Sequence, residues 1–203
     1  MGIEETTFAI AAGVLLSAVG AAQADTTADY KGYETPPAEV IRSAGDIELR
    51  RYAPHVVAEV RVRGSRRGAA SKGFRMLAGY IFGKNETDAG DSTKIAMTAP
   101  VTQMPEGDAW DIRFMMPASY TLDTLPTAKD PAIRFFETQP ETQLVLQFSG
   151  RWSDAILGEK TNDLRQFAAS EGLEIVEPPI FHFYDDPFTL PWNRRNEVAF
   201  RVE

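Results

Sequence analysis

Residues 56–83 read VVAEVRVRGSRRGAASKGFRMLAGYIFG, and a change of period in the middle of this stretch decides the fold. Up to Val62 the chain alternates. Val56, Ala58, Val60 and Val62 share one side while Arg61 and Arg63 take the other, the pattern of a half-exposed β-strand. From Ser65 the spacing becomes helical. Ala70, Phe74, Leu77 and Ile81 lie 4, 3 and 4 residues apart, which predicts one helix stripe, with Ser65 as N-cap and Gly83 as the stop.

The same logic extends outward. Upstream, Gly45-Asp46 between Val40-Ile41 and Ile47 reads as a hairpin turn. Downstream, Lys84 to Thr93 is a polar loop, and Trp110 to Met116 alternates with Ile112, Phe114 and Met116 on one side. Ile133–Phe136 and Leu144–Phe148 read as strands separated by a tight turn at Gln139-Pro140-Glu141. Ser153 opens a second helix carrying Ile156, Leu157, Leu164, Phe167 and Ala168, closed by Gly172; Phe181–Tyr184 and Val198–Val202 are the last strands. Strands, helix, strands, helix, strands predict an α+β fold: two similar halves in a curved, largely antiparallel sheet with two helices.

Composition narrows the functional classes. The chain has 203 residues, 43% apolar, 25% charged and 10% aromatic, which excludes a disordered or low-complexity protein. With no cysteine there are no disulfides, thiolate metal sites or Cys nucleophiles, and with only His55 and His182 a histidine-built zinc site is nearly excluded. The net charge of −8 speaks against nucleic-acid binding by counterion release. Between Arg50 and Arg75, however, eight basic side chains face the single acid Glu59. That run is either a set of solvated faces or a local patch able to hold a small anion.

The first residues stand apart. Phe8 to Val19 is almost uninterruptedly apolar, and Ala22-Gln23-Ala24 is a small-x-small cleavage pattern, so residues 1–24 read as a signal peptide. It is atypical, with Glu4 and Glu5 but no basic residue ahead of the apolar run. An uncleaved N-terminal anchor and a cytoplasmic tail are the alternatives. On the first reading the protein is periplasmic or secreted, without stable membrane insertion once the signal is removed, because spanning a bilayer takes about 20 apolar residues. Residues 25–37, ending in Pro36-Pro37, form an N-terminal arm, and 38–203 make one domain with one core.

No G-x-S-x-G, P-loop, dinucleotide fingerprint or H-x-x-E-H helix is present, so the chain reads as a non-enzyme. Its sharper signals are three strings: Tyr80-Ile81-Phe82-Gly83-Lys84-Asn85, Lys94-Ile95-Ala96-Met97-Thr98-Ala99-Pro100-Val101, and Arg194-Arg195-Asn196-Glu197. With Glu48-Leu49-Arg50-Arg51-Tyr52 and Met116-Pro117, they resemble the SOUL haem-binding family from about Val40 to Val202. The resemblance implies a distorted, pseudo-twofold antiparallel β-barrel of about eight strands flanked by two helices, an arrangement shared with bacterial drug-binding effector domains. It further implies binding of haem or another tetrapyrrole in an apolar cleft beside the first helix, as a carrier or buffer without catalysis. Any client protein stays open.

A porphyrin is a flat apolar plate with two carboxylates on one edge. It needs an apolar slot, for which Met76, Leu77, Tyr80 and Met97 are the candidates, and cations at the mouth, for which Lys72 and Arg75 lie on the same helix. Burying some hundreds of Å² at about 25 cal/mol per Å² supplies several kcal/mol without an iron bond. The competing reading has Phe74, Leu77 and Ile81 simply packing as core. Some family members carry a histidine as proposed axial ligand immediately before the tyrosine of the Arg-x-Tyr string; here that position is Arg51, which cannot ligate iron. His55 and His182 remain as weak axial candidates, with Met97, Tyr52, Tyr80 and Tyr184 behind them. Binding is therefore expected to be reversible and without a strong axial ligand. Arg-Arg-Asn-Glu reads as structural, an arginine fork on a carboxylate.

Two rivals stand beside this reading. One is a general small-molecule module for amphipathic or planar aromatic ligands, told apart by the charge facing the cleft, with Glu48 and Glu137 the residues that decide. The other is a hydrolytic or haem-dechelating enzyme, which requires a carboxylate raised in pKa by burial beside a tyrosine or tryptophan.

Overall fold

The computed structural model describes residues 29–203, so the signal-peptide reading of 1–24 and the first residues of the arm lie outside the described residues. The main elements are β1 (Ala38–Ala44), β2 (Ile47–Tyr52), β3 (Val56–Arg63), α1 (Arg66–Ile81), β4 (Val101–Glu106) and β5 (Ala109–Met115). They continue with β6 (Arg134–Glu137), β7 (Glu141–Phe148), α2 (Asp154–Ser170), β8 (Ile175–Phe183) and β9 (Asn196–Val202). The strands form one antiparallel half-barrel in the order β6-β3-β5-β4-β8-β9-β7-β2-β1. The unit β3–α1–β4–β5 recurs as β7–α2–β8–β9, and the halves meet at β4 and β8, where Thr102 pairs with His182. This is the two-halved α+β sheet read from the sequence, with nine strands in the sheet.

Each helix covers one half. Ala69, Leu77, Tyr80 and Ile81 of α1 pack on Ala58, Val60 and Val62 of β3 and on Ile112 and Phe114 of β5. Leu157, Leu164 and Ala168 of α2 pack on Leu144, Leu146, Phe181, Val198 and Phe200. Because side chains alternate along a strand, the intervening Val145 and Ala199 face the other way, into a smaller cluster with Met104 and Ile180. The caps are as expected. Ser65 accepts from Gly68 N at 3.4 Å, Ser153 from Ile156 N at 3.2 Å, and Gly83 closes α1 at φ +114°.

Three findings refine these expectations. In the N-terminal half of α1 the buried positions are Arg66, Ala69 and Gly73, whereas Ala70 is half-buried and Phe74 exposed. Gly73 is the reason: a Cβ there would sit 2.6 Å from Cγ1 of Ile112, so the helix approaches the sheet at a residue that hydrophobic periodicity cannot register. Second, Ile133–Phe136 and Leu144–Phe148 are not joined as a hairpin, since β6 pairs with β3 while β7 pairs with β9 and β2. The link between them is held to the start of β3, His55 N donating to Thr138 Oγ1 at 3.1 Å and Thr138 N to His55 O at 2.9 Å. Third, the polar loop after α1 is anchored. Asn85 is fully buried, and its amide donates to Tyr80 O and Thr93 O at 2.7 and 2.9 Å.

Residues 29–37, the described part of the arm, strap across the molecule. A short hairpin pairs 29–30 with 33–34. Tyr30 OH donates to Asp185 Oδ2 at 2.9 Å, Lys31 Nζ lies 2.5 Å from Asp185 Oδ1, and Ala99 N donates to Glu34 O at 2.9 Å.

Candidate ligand-binding site

The segment between β8 and β9 reads as a turn from its Asp185-Asp186-Pro187, and it is a tightly held one. Asp186 Oδ1 accepts from Phe188 N at 2.6 Å and from Thr189 N at 3.0 Å. From the far end Arg194 donates through Nε to Thr189 O and through Nη2 to Pro187 O, both at 2.7 Å. The turn spends these polar bonds on itself and leaves its apolar side chains outside: Phe188 is 95% exposed, Trp192 69% and Leu190 52%. An ordered loop that exposes three large apolar residues is an interaction surface by the usual rule for soluble proteins.

Across from it lies Trp152, just ahead of α2. The ring stacks on Phe183 with centroids 4.9 Å apart, and the Arg66 guanidinium sits 5.0 Å above it. Arg66, at the start of α1, is itself buried; its Nε donates to Asp154 Oδ1 at 2.6 Å and its Nη1 to Gln103 Oε1 at 3.2 Å. The starts of both helices are thereby locked around one indole. The crevice that results holds about 380 Å³. Its apolar wall is Trp152, Phe188, Leu190 and Pro191, and its cations are Arg67, Arg151 and Arg194. Among the described residues none of these three arginines is within 4.0 Å of a carboxylate, so the lip is positive in an acidic protein.

Of the residues expected to line a site, Leu77 and Tyr80 are fully buried between α1 and the sheet, where Tyr80 OH donates to Pro126 O at 2.9 Å. Burial pushes the Tyr80 phenol well up, so it stays protonated. Met76 packs half-buried against the same core. Lys72 and Arg75 are exposed on α1, and Met97 is exposed on the following loop. The arginine crevice at the N-terminal end of α1 also combines apolar side chains with positive charge. Sequence reasoning did not single out Arg151, Phe188 or Leu190, and it read Arg194 as structural; with Trp152 these belong to a turn and a helix approach far apart in the chain. The available signal was large apolar residues between Pro187 and Trp192, in a turn with no strand or helix to bury them.

Neither histidine lines the crevice. His182 is buried with Nδ1 3.0 Å from Thr102 Oγ1 and Nε2 3.2 Å from Gln143 Oε1, so both ring nitrogens are engaged. Burial drives its pKa down to about 4. The unfolded chain takes up this proton near pH 6.5 and the folded one only near 4, so stability is whole above about pH 6.5 and drains as pH falls toward 4. His55, also lowered by burial, acts in the same direction. His182→Gln is expected to shrink the loss between pH 7 and pH 5, measured as the shift in urea midpoint. An undiminished loss in the variant would rule this origin out.

The Arg-Arg-Asn-Glu string closes the opposite face of the sheet from the helices. Glu197 is fully buried at 0% exposure. Arg50 Nη1 donates to its two oxygens at 3.0 and 3.1 Å, Arg195 Nη2 to Oε1 at 2.6 Å, and Tyr184 OH to Oε2 at 3.0 Å. Burial alone would raise the Glu197 pKa, but Arg50 and Arg195 overcome it and hold the group below its usual range. A carboxyl poised as a general acid needs the opposite environment. Glu48 is ion-paired too, 2.7 Å from Arg50 Nε. Burial also lifts Tyr52 to about 12, so its phenol stays protonated.

The chain belongs to the SOUL haem-binding protein family, whose model matches residues 33–201, from the strap to the last strand. That family is one of binding proteins. Among solved structures the chain is similar to a hydrolase from Listeria innocua, at 14% identity and TM-score 0.54, covering 78% of this chain and 92% of that one. It is also similar to an uncharacterized conserved protein from Listeria innocua (13%, TM-score 0.56, 78% and 92%) and to the EcmrR C-terminal domain (14%, TM-score 0.52, 77% and 96%). At such identities the likeness is one of fold. No relative was found among curated protein sequences. Among the described residues no helix is long and apolar enough to cross a membrane.

Proposed function

We propose that the protein reversibly binds haem or a related tetrapyrrole, as a carrier or buffer, in the crevice between the start of α1, Trp152 and the β8–β9 turn. The observation that carries this reading is the coincidence of three carboxylate-free arginines with an exposed aromatic and aliphatic wall. Trp152 and Phe188 offer faces to a flat macrocycle, Arg67 and Arg151 offer guanidinium groups to its two propionates, and Arg194, whose Nε and Nη2 hold the turn, adds positive charge. Arg67, Ala70, Ser71 and Phe74 fall on one face of α1 by helical spacing, so the wall has a natural extension along the helix. No His, Met or Tyr lines the crevice. Affinity here comes from apolar burial and charge, and the iron is dispensable.

The test is a hemin titration of the purified protein followed at the Soret band, repeated with iron-free protoporphyrin by fluorescence. Saturation at one equivalent is expected for both. A linear, non-saturating response would sink the reading, and saturation by hemin alone would establish iron ligation in its place.

A further inference from the structure

Trp192 stands on the β8–β9 turn but outside the crevice, and it is exposed like Phe188 and Leu190 beside it. The acids of the turn are spent within the protein. Asp185 accepts from Tyr30 OH, Lys31 Nζ and Arg195 N, and Asp186 from Phe188 N, Thr189 N and Thr189 Oγ1. Among the described residues Arg67, Arg151 and Arg194 have no carboxylate partner. An apolar tip is therefore edged with cations, on a chain whose net charge is −8. The surface of an anionic bilayer is complementary to both: tryptophan settles at headgroup level, aliphatic and phenyl side chains enter just below, and arginines meet lipid phosphates.

The strap supplies an independent observation. Lys31 Nζ donates to Asn193 O at 2.8 Å as well as pairing with Asp185, so the N-terminal side of the chain is fastened to this same turn. Only residues 20–28 separate the apolar run Phe8–Val19 from Asp29 of the strap. That length of chain reaches about 35 Å at full extension. A bilayer that holds the apolar run lies within reach of the turn.

We propose that the β8–β9 turn docks the protein on an anionic membrane surface. Phe188, Leu190 and Trp192 dip among the headgroups, Arg67 and Arg151 face lipid phosphates, and Arg194 adds positive charge while holding the turn. The contact is peripheral and spans nothing. Phe188 and Leu190 also wall the crevice, so docking sets its mouth beside the headgroups. The inference does not rest on tetrapyrrole binding.

The test is sedimentation of the full chain with phosphatidylglycerol vesicles at low salt, without hemin. Binding is expected to be at least about tenfold tighter than to phosphatidylcholine vesicles and to weaken as salt rises. Trp192→Ser should weaken it about tenfold while leaving the affinity for hemin in solution unchanged. Brominated lipid in the vesicles reports the contact itself and should quench the tryptophan fluorescence. Trp192→Phe keeps an apolar ring, so it should still bind but lose most of the quenching, because Trp110 and Trp152 pack against the second core cluster. Absence of vesicle binding, equal affinity for the two lipids, or quenching that survives in Trp192→Phe would each overturn the proposal. So would full affinity in Trp192→Ser, which would assign attachment to the apolar run alone. Vesicle binding beside a failed hemin titration would remove only the tetrapyrrole reading, and the reverse result only the docking.

Discussion

Glu197→Gln is expected to destabilise the fold by about 3–5 kcal/mol, because it leaves Arg195 without a carboxylate and the buried Arg50 with only the partly exposed Glu48. Arg50 and Arg195 both converge on Glu197, Tyr184 adds a third donor, and Arg195 also lies 4.2 Å over the Tyr184 ring. An amide of the same shape accepts fewer of these bonds and neutralises neither charge. With a urea dependence of about 2 kcal/mol per M, the midpoint should fall by roughly 1.5–2.5 M. A shift below about 0.5 M would show that the network is worth little here. Should the variant fail to accumulate, Tyr184→Phe removes one donor only and is expected to cost about 1 kcal/mol. The network joins the β8–β9 turn to the sheet, since Arg195 N also donates to Asp185 Oδ2 at 2.7 Å. Weakening it should therefore loosen the ligand crevice before the helices detach.

The second large effect is on affinity. Arg67→Glu with Arg151→Glu is expected to weaken hemin binding by about 30–100-fold at low salt, each reversal being worth about 1–1.4 kcal/mol at a partly exposed lip. These two were chosen over Arg194 because Arg194 also holds the turn together through Thr189 O and Pro187 O. The loss should shrink as salt rises, because the screening length is about 8 Å at physiological ionic strength. Lys72→Glu with Arg75→Glu, on the middle of the same helix, is the comparison. It should change affinity by less than about threefold. The reverse ranking would move the site to the middle turns of α1, where the sequence alone suggests it.

The contrast between those two arginine pairs shows what was legible. The strand before Ser65, both helices with their serine caps, the Gly45-Asp46 hairpin and the doubled order of elements all follow from local periodicity. The structural role of Glu197 in Arg-Arg-Asn-Glu was legible on other grounds, because a carboxylate inside an apolar strand needs a guanidinium partner. Gly73 escaped notice because a residue without a side chain leaves no mark in a hydrophobic pattern, although it sets how closely α1 lies on Ile112. The partners of β6 and β7 were not legible because a Pro-containing turn between two strands says nothing about which neighbours those strands choose.

Sequence by itself determined the family, the α+β class and the two-halved order. Only the tertiary structure showed the crevice on which the proposed site is built. Local spacing encodes what a segment buries, but a crevice is made where segments distant in the chain stop short of one another. Here α1 begins, α2 begins and the β8–β9 turn ends around one indole. That meeting is set by long-range strand pairing and by the strap on Asp185, neither of which has a period to read.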